Sequence, residues 1–193
     1  MFENTAEKMA RTGVIPVITV KNIDSVLETA AKAIEKGIGA VEITFRTTEG
    51  LSGHRMIAEA IKSVREKYPE LMVGAGTVIN AELAEMAKNA GAEFIVSPGL
   101  NPATVEWCLA NDMPIFPGVA TPSEVELALS YGLTYLKFFP AEALGGIKML
   151  KALSGPFPQV KFMPTGGINE SNYKDYAELK NVFCVGGSWV LGN

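Results

Sequence analysis

The chain has few of the residues that metalloenzymes and secreted domains depend on: one histidine, His54, and two cysteines in 193 residues. Metal catalysis draws on clusters of His, Cys or carboxylate ligands, and no such cluster can be read here. A histidine-based zinc site, any other metal, and a Ser-His-Asp triad are therefore unsupported. His54, in Ser52-Gly53-His54-Arg55, reads as a surface residue at an exposed helix start. Cys108 and Cys184 form no disulfide framework, and Cys184 lies in the apolar run Val182-Phe183-Cys184-Val185, which reads as core. Positive charge is also scarce. Seventeen Lys and Arg against 21 Asp and Glu leave a net charge of −4, which argues against nucleic acid as a partner. No apolar run reaches the length of a bilayer span, and the opening MFENTAEKMA lacks a signal-peptide pattern. A cytoplasmic protein with a small-molecule ligand is expected.

Hydrophobic residues make up 48% of the chain and charged residues 20%, ordinary values for one soluble domain spanning residues 1–193. Eight short apolar runs recur: Val14–Ile18, Ala40–Thr44, Leu71–Ala75, Glu93–Val96, Pro114–Phe116, Thr134–Phe138, Val160–Met163 and Val182–Val185. Between them lie segments of helical periodicity, such as 25–34 and 81–87. Asn22 to Asp24, Ser52 and Asn101-Pro102 mark helix starts, and Gly37 and Gly91 mark ends. Strands alternating with single helices imply parallel βαβ units. Eight of them predict a compact (β/α)8 barrel, an α/β fold. It would have a short helix ahead of the first strand and no evident helix after the last. An open dinucleotide-binding sheet is the alternative. Its nearest fingerprint, Gly74-Ala75-Gly76-Thr77, lacks a third glycine and a downstream ribose carboxylate. The chain is shorter than the ~250 residues typical of such barrels. A partner subunit or a missing tail is expected to cover the last strand.

Lys137 is the most informative residue, one cation in the apolar run Leu133-Thr134-Tyr135-Leu136-Lys137-Phe138-Phe139-Pro140. A lone lysine in a strand is first read as a snorkelling edge residue. The other reading is chemical: a desolvated ammonium loses its proton more readily, and a neutral amine attacks carbonyl carbon. In the second run, Glu42, Thr44 and Arg46 share one face, opposite Val41, Ile43 and Phe45. Inward-pointing residues of even-numbered barrel strands share layers, so Glu42 and Lys137 can meet in the interior. Such a pair is either a structural ion pair or an acid placed for proton transfer. Arg46, at the catalytic face of the barrel, carries a planar fork suited to a carboxylate. Thr77 follows Gly74-Ala75-Gly76, where small residues either admit a ligand to the backbone or serve packing.

Two glycine clusters close the last two strands: Pro164-Thr165-Gly166-Gly167-Ile168 and Gly186-Gly187-Ser188. Alone, each is a tight turn. Together, at the positions where barrels often hold phosphate on backbone amides, they predict a phosphate site with Ser188 adding a hydroxyl.

The segments Glu42-Ile43-Thr44-Phe45-Arg46-Thr47, Gly74-Ala75-Gly76-Thr77-Val78, Ser97-Pro98-Gly99, Lys137-Phe138-Phe139-Pro140-Ala141-Glu142, Pro164-Thr165-Gly166-Gly167 and Gly186-Gly187-Ser188-Trp189 resemble the 2-keto-3-deoxy-6-phosphogluconate and 4-hydroxy-2-oxoglutarate aldolases. The resemblance runs from about Gly13 to Trp189. It implies a trimeric class I aldolase without metal or cofactor, with Lys137 as the Schiff-base residue and Glu42 as general acid/base. It further implies Arg46 and Thr77 on the keto-acid carboxylate, Pro98 and Phe139 lining the pocket, and Thr165 near the substrate hydroxyls. Gly166, Gly167, Gly186, Gly187 and Ser188 would cradle phosphate. The loop 48–54 differs from the family's usual shorter form, and its C-terminal helix has no counterpart here. Rival readings are an aldolase for the 6-phosphogalactonate epimer or another 2-keto acid, a phosphate-binding barrel isomerase, and a non-catalytic barrel scaffold.

Overall fold

In the computed structural model, residues 2–191 are described. Among them are nine parallel strands: β1 (Val14–Thr19), β2 (Ala40–Thr44), β3 (Met72–Gly76), β4 (Phe94–Val96), β5 (Ile115–Phe116), β6 (Gly118–Val119), β7 (Tyr135–Phe138), β8 (Lys161–Pro164) and β9 (Val185–Gly187). The eight α-helices described are α1 (Phe2–Thr12), α2 (Ile23–Glu35), α3 (Gly50–Lys67), α4 (Ala81–Asn89), α5 (Pro102–Ala110), α6 (Pro122–Ser130), α7 (Gly146–Ser154) and α8 (Tyr173–Ala177). The fold is α/β, with its parallel strands in a curled sheet.

Local chemistry explains the helix boundaries. Asn22 and Ser25 close α2 with a reciprocal capping box, and Thr121 and Glu124 do the same for α6. Asn80 caps α4, and Asn101 caps α5 ahead of Pro102 at its first turn. Gly37 and Gly91, at φ +72 and +90, leave α2 and α4 through the left-handed region. One start differs from expectation. The helix marked by Ser52 begins two residues earlier, behind Glu49, with no side-chain cap; the Ser52 hydroxyl donates to Glu49 O at 2.8 Å instead. His54 is accordingly inside α3 and half-buried, its ring 6.0 Å from that of Phe45, rather than a plain surface residue.

One sheet runs β5-β4-β3-β2-β1-β9 and a second runs β6-β7-β8. Pro117, which has no N–H to give a ladder, separates β5 from β6. Beyond β8, single parallel bridges pair Phe162 with Val182 and Thr165 with Gly186. The last expected strand, Val182–Val185, is therefore shifted toward the glycines, since Val182 contributes only an isolated bridge. After β9 the described chain makes a short 3₁₀ turn, Trp189–Leu191.

The side-chain period of two divides the apolar residues. Val41, Ile43, Val73, Ala75, Ile95 and Leu136 face the helices in the larger core. Ile15, Ala40, Met72, Phe94, Phe116, Met163 and Cys184 form a second cluster with Ala6 and Met9 of α1. This second cluster lies on the concave face toward the strand N-termini, where α1 covers it. The register then places Val17 opposite Glu42, Glu42 opposite Gly74, and Lys137 opposite Met163, so the acid and the lysine border this cluster. Among the described residues no helix is long and apolar enough to cross a membrane.

Candidate active site

Lys137 is 5% exposed and Glu42 is 1% exposed, and Lys137 Nζ stands 3.7 Å from Glu42 Oε1. The amine also lies 5.1 Å from the centre of the Phe139 ring. Two opposite charges so little hydrated are expensive to assemble, and removing one partner of such a pair typically costs about 3–5 kcal/mol. The second carboxylate oxygen, Glu42 Oε2, is buried and has no hydrogen-bond partner among the described residues. An unused acceptor beside an amine is what a proton-transferring group requires.

Small residues make room for this acid. A Cβ at Gly74 would run into the Phe94 ring, and one at Gly76 into the Glu42 carboxylate. Packing therefore explains the Gly-Ala-Gly run, and a ligand's approach to the backbone is not needed to account for it. Cys184 lies in the field of Glu42: burial first, then that charge, raises its thiol well above the ordinary value of 9.0.

Above Lys137 opens a cavity of about 440 Å³ at the C-terminal ends of the strands. Arg46, Thr77 and Pro98, which follow β2, β3 and β4, line it together with Lys137 and Phe139. Thr165, Gly166 and Gly167 after β8, and Gly187 and Ser188 at the end of β9, complete the wall. Thr77 holds φ +56, unusual for a β-branched residue. The Ser97 hydroxyl donates to Gly99 O at 2.8 Å and shapes the turn that carries Pro98. A larger groove of about 600 Å³ between α3 and α4 is lined by Arg55, Glu59, Lys62, Glu82 and Glu85. It has no buried reactive group, so the smaller cavity is the candidate site.

A family model described as KDPG and KHG aldolase matches residues 5–193. The chain belongs to that aldolase family. It is 44% identical over 185 residues to the 2-dehydro-3-deoxy-phosphogluconate aldolase of Haemophilus influenzae, covering 96% of this chain and 84% of the relative. Among solved structures, it superposes at TM-score 0.90 and 41% identity on a KDPG aldolase from Legionella pneumophila with pyruvate captured as a covalent carbinolamine intermediate, covering 97% of this chain and 88% of that one. The 2-keto-3-deoxy-6-phosphogluconate aldolase of Zymomonas mobilis ZM4, solved with 3-phosphoglycerate, superposes at TM-score 0.84 and 36% identity over 96% of this chain and 84% of that one.

Within this aldolase-family site, two expected residues stand off the cavity wall. Glu42 lies behind Lys137, and Gly186 faces Thr165, whose hydroxyl occupies the space a Cβ at 186 would need. Gly187 and Gly167 line the cavity but are also bare for packing reasons. A Cβ at Gly187 would meet the Trp189 ring, and one at Gly167 would stand 2.6 Å from Glu142 Cβ. Sequence reasoning missed Val17, Thr19 and Ile168 on the cavity wall. Val17 and Thr19 alternate along β1 and were open to the same period-two argument that found Glu42 and Arg46. Ile168 gave no signal beyond apolarity.

Proposed function

We propose that this chain is a class I aldolase, a carbon–carbon lyase. It cleaves 2-dehydro-3-deoxy-6-phosphogluconate to pyruvate and glyceraldehyde 3-phosphate, and 4-hydroxy-2-oxoglutarate to pyruvate and glyoxylate. The observation that carries the reading is the buried Lys137 amine, 3.7 Å from the Glu42 carboxylate, at a cavity of about 440 Å³. The names of the relatives support the substrate class.

The chemistry follows from that placement. The Lys137 amine attacks the C2 ketone to give a carbinolamine, and loss of water leaves a protonated imine that withdraws electrons from C3. Glu42 takes the proton of the C4 hydroxyl, the C3–C4 pair moves into the imine to form an enamine, and the aldehyde departs. Protonation at C3 and hydrolysis of the imine release pyruvate and restore the amine. Arg46 and Thr77 hold the C1 carboxylate, Pro98 and Phe139 bound the pyruvyl part, and Thr165 reaches the hydroxyls. Amides of the Gly166-Gly167 and Gly186-Gly187 segments and the Ser188 hydroxyl take the phosphate. Neither metal nor cofactor enters the scheme.

The scaffold in this reading is one domain over residues 1–193 forming a closed (β/α)8 barrel. Counting β5 and β6 as one strand broken at Pro117, and joining β8 to β9 through the two single bridges, supports closure with eight staves. A cytoplasmic homotrimer is the proposed form. Leu51 and Ile79, 57% and 55% exposed, support a covered face, and two buried unbridged thiols suit a reducing compartment. Sedimentation showing a monomer at micromolar concentration would exclude the trimer.

Borohydride trapping tests the function. With pyruvate present, reduction should add one pyruvyl group, on the peptide bearing Lys137, and Lys137→Met should lose both the adduct and cleavage while remaining folded. An adduct confined to Lys148 or Lys151 would sink the mechanism.

A further inference from the structure

One polar contact, between a buried tyrosine and an exposed glutamate, lies outside the machinery described so far. Tyr176 on α8 is 1% exposed, and its hydroxyl donates to Glu142 Oε1. Burial first, and the Glu142 carboxylate second, raise that hydroxyl above its ordinary value of 10.0, so it stays a donor throughout the neutral range. Glu142 belongs to the turn that follows β7. Neither residue lines the cavity.

The pair supports the Gly166-Gly167 loop from behind. Ala141 N donates to Thr165 O at 2.8 Å and Glu142 N to Gly166 O at 3.1 Å. The stem of Glu142 lies flat against Gly167, because a Cβ there would stand 2.6 Å from Glu142 Cβ and 2.7 Å from Cγ. Gly146, which opens α7, is bare where a Cβ would collide with the Tyr176 hydroxyl and stand 3.2 Å from Glu142 Oε1. Four segments thus converge on one hydrogen bond: the turn after β7, the loop after β8, the start of α7, and α8.

Gly166 and Gly167 hold φ +99 and +79. Two successive glycines have wide backbone freedom, so the direction of their amides is set by what they pack against, and here that is Glu142. A carboxylate beside a dianion site is repulsive unless its charge is engaged elsewhere; the Tyr176 hydroxyl engages one oxygen. The geometry points to Glu142 and Tyr176 as positioning residues that fix the Gly166-Gly167 loop. They thereby set the preference for a phosphorylated over an unphosphorylated 2-keto acid. This inference rests on the proposed phosphate role of that loop.

The test compares the phosphorylated six-carbon substrate with 4-hydroxy-2-oxoglutarate in folded variants, their folding checked by thermal unfolding. Tyr176→Phe should raise KM for the phosphorylated substrate about tenfold, the scale of one weakened charge-assisted hydrogen bond. It should leave kcat, and kcat/KM for the unphosphorylated substrate, within about twofold. Glu142→Gln keeps both the stem on Gly167 and an oxygen for Tyr176, so it should retain most of the preference, whereas Glu142→Ala should lose it. Equal losses on both substrates, or an unchanged preference in Tyr176→Phe, overturn the inference. Ser188→Asp separates the two levels. If it abolishes the preference while Tyr176→Phe does not, the loops hold phosphate and only the positioning role fails. If neither moves the preference, both fail.

Discussion

Glu42 reaches Lys137 through space that Gly76 leaves open: the carboxylate lies where a Cβ on residue 76 would be. The strand that carries no chemistry of its own therefore decides where the acid sits. Gly76→Ala should push the Glu42 carboxylate off the lysine and lower kcat, with the fold retained and pyruvate still trapped on Lys137. Glu42→Gln should lower kcat by about 10²–10⁴-fold, the usual worth of a general acid/base. A loss below tenfold in Glu42→Gln would make Glu42 only the lysine's ionic partner.

Arg46→Ala should raise KM for keto acids and weaken inhibition by pyruvate about ten- to a hundredfold, because a charged hydrogen bond is worth roughly 1.5–3 kcal/mol. Arg46→Lys should recover part of this, since a point charge cannot reproduce a bidentate fork. Pyruvate affinity unchanged in Arg46→Ala would move the carboxylate site elsewhere.

Ser188, exposed at the cavity rim, offers the cleanest test of phosphate binding. Ser188→Asp should impair the phosphorylated substrate about ten- to a hundredfold more than 4-hydroxy-2-oxoglutarate. Gly167→Val is a poor substitute, because its side chain would strike Glu142 at a φ of +79 and disturb both substrates alike. Equal losses in Ser188→Asp would make the rim structural.

The strands were legible because each is a short apolar run bounded by turn residues, and Ala40–Thr44 was readable to the residue. The pairing of Glu42 with Lys137 was legible for the same reason, since period two places both inward. Boundaries failed where no side chain marks them. The start of α3 has no cap to read, and the last strand slid because Gly186 and Gly187 pair better than apolarity alone implies. The Glu142–Tyr176 contact was invisible, because it joins the turn after β7 to α8 and only the folded chain brings them together. Phosphate was inferred from glycines whose bareness is partly a matter of packing against Thr165, Trp189 and Glu142.

Stability should fall at alkaline pH. Burial pushes the Cys108 thiol from 9.0 up to about 12, and Tyr176 and Cys184 move the same way. A group whose folded value is raised contributes stability that is complete below its unfolded value and lost as pH climbs toward the folded one. Denaturation midpoints should hold up to about pH 9 and then decline toward pH 12, and Cys108→Ala should flatten the decline. A midpoint that rises across this interval would contradict the assignment.

Thr77 sits at φ +56, where a β-branched residue carries about 1–3 kcal/mol of backbone strain. On the proposed reading, in which Thr77 holds the keto-acid carboxylate, heat tolerance and turnover pull this position in opposite directions. Libraries screened only for survival on heating should drift to Thr77→Gly or Thr77→Asn, relaxing the turn and discarding a hydroxyl at the cavity wall. Any programme to toughen this protein for use as a biocatalyst needs to hold position 77 fixed and seek its gains on the outer helices.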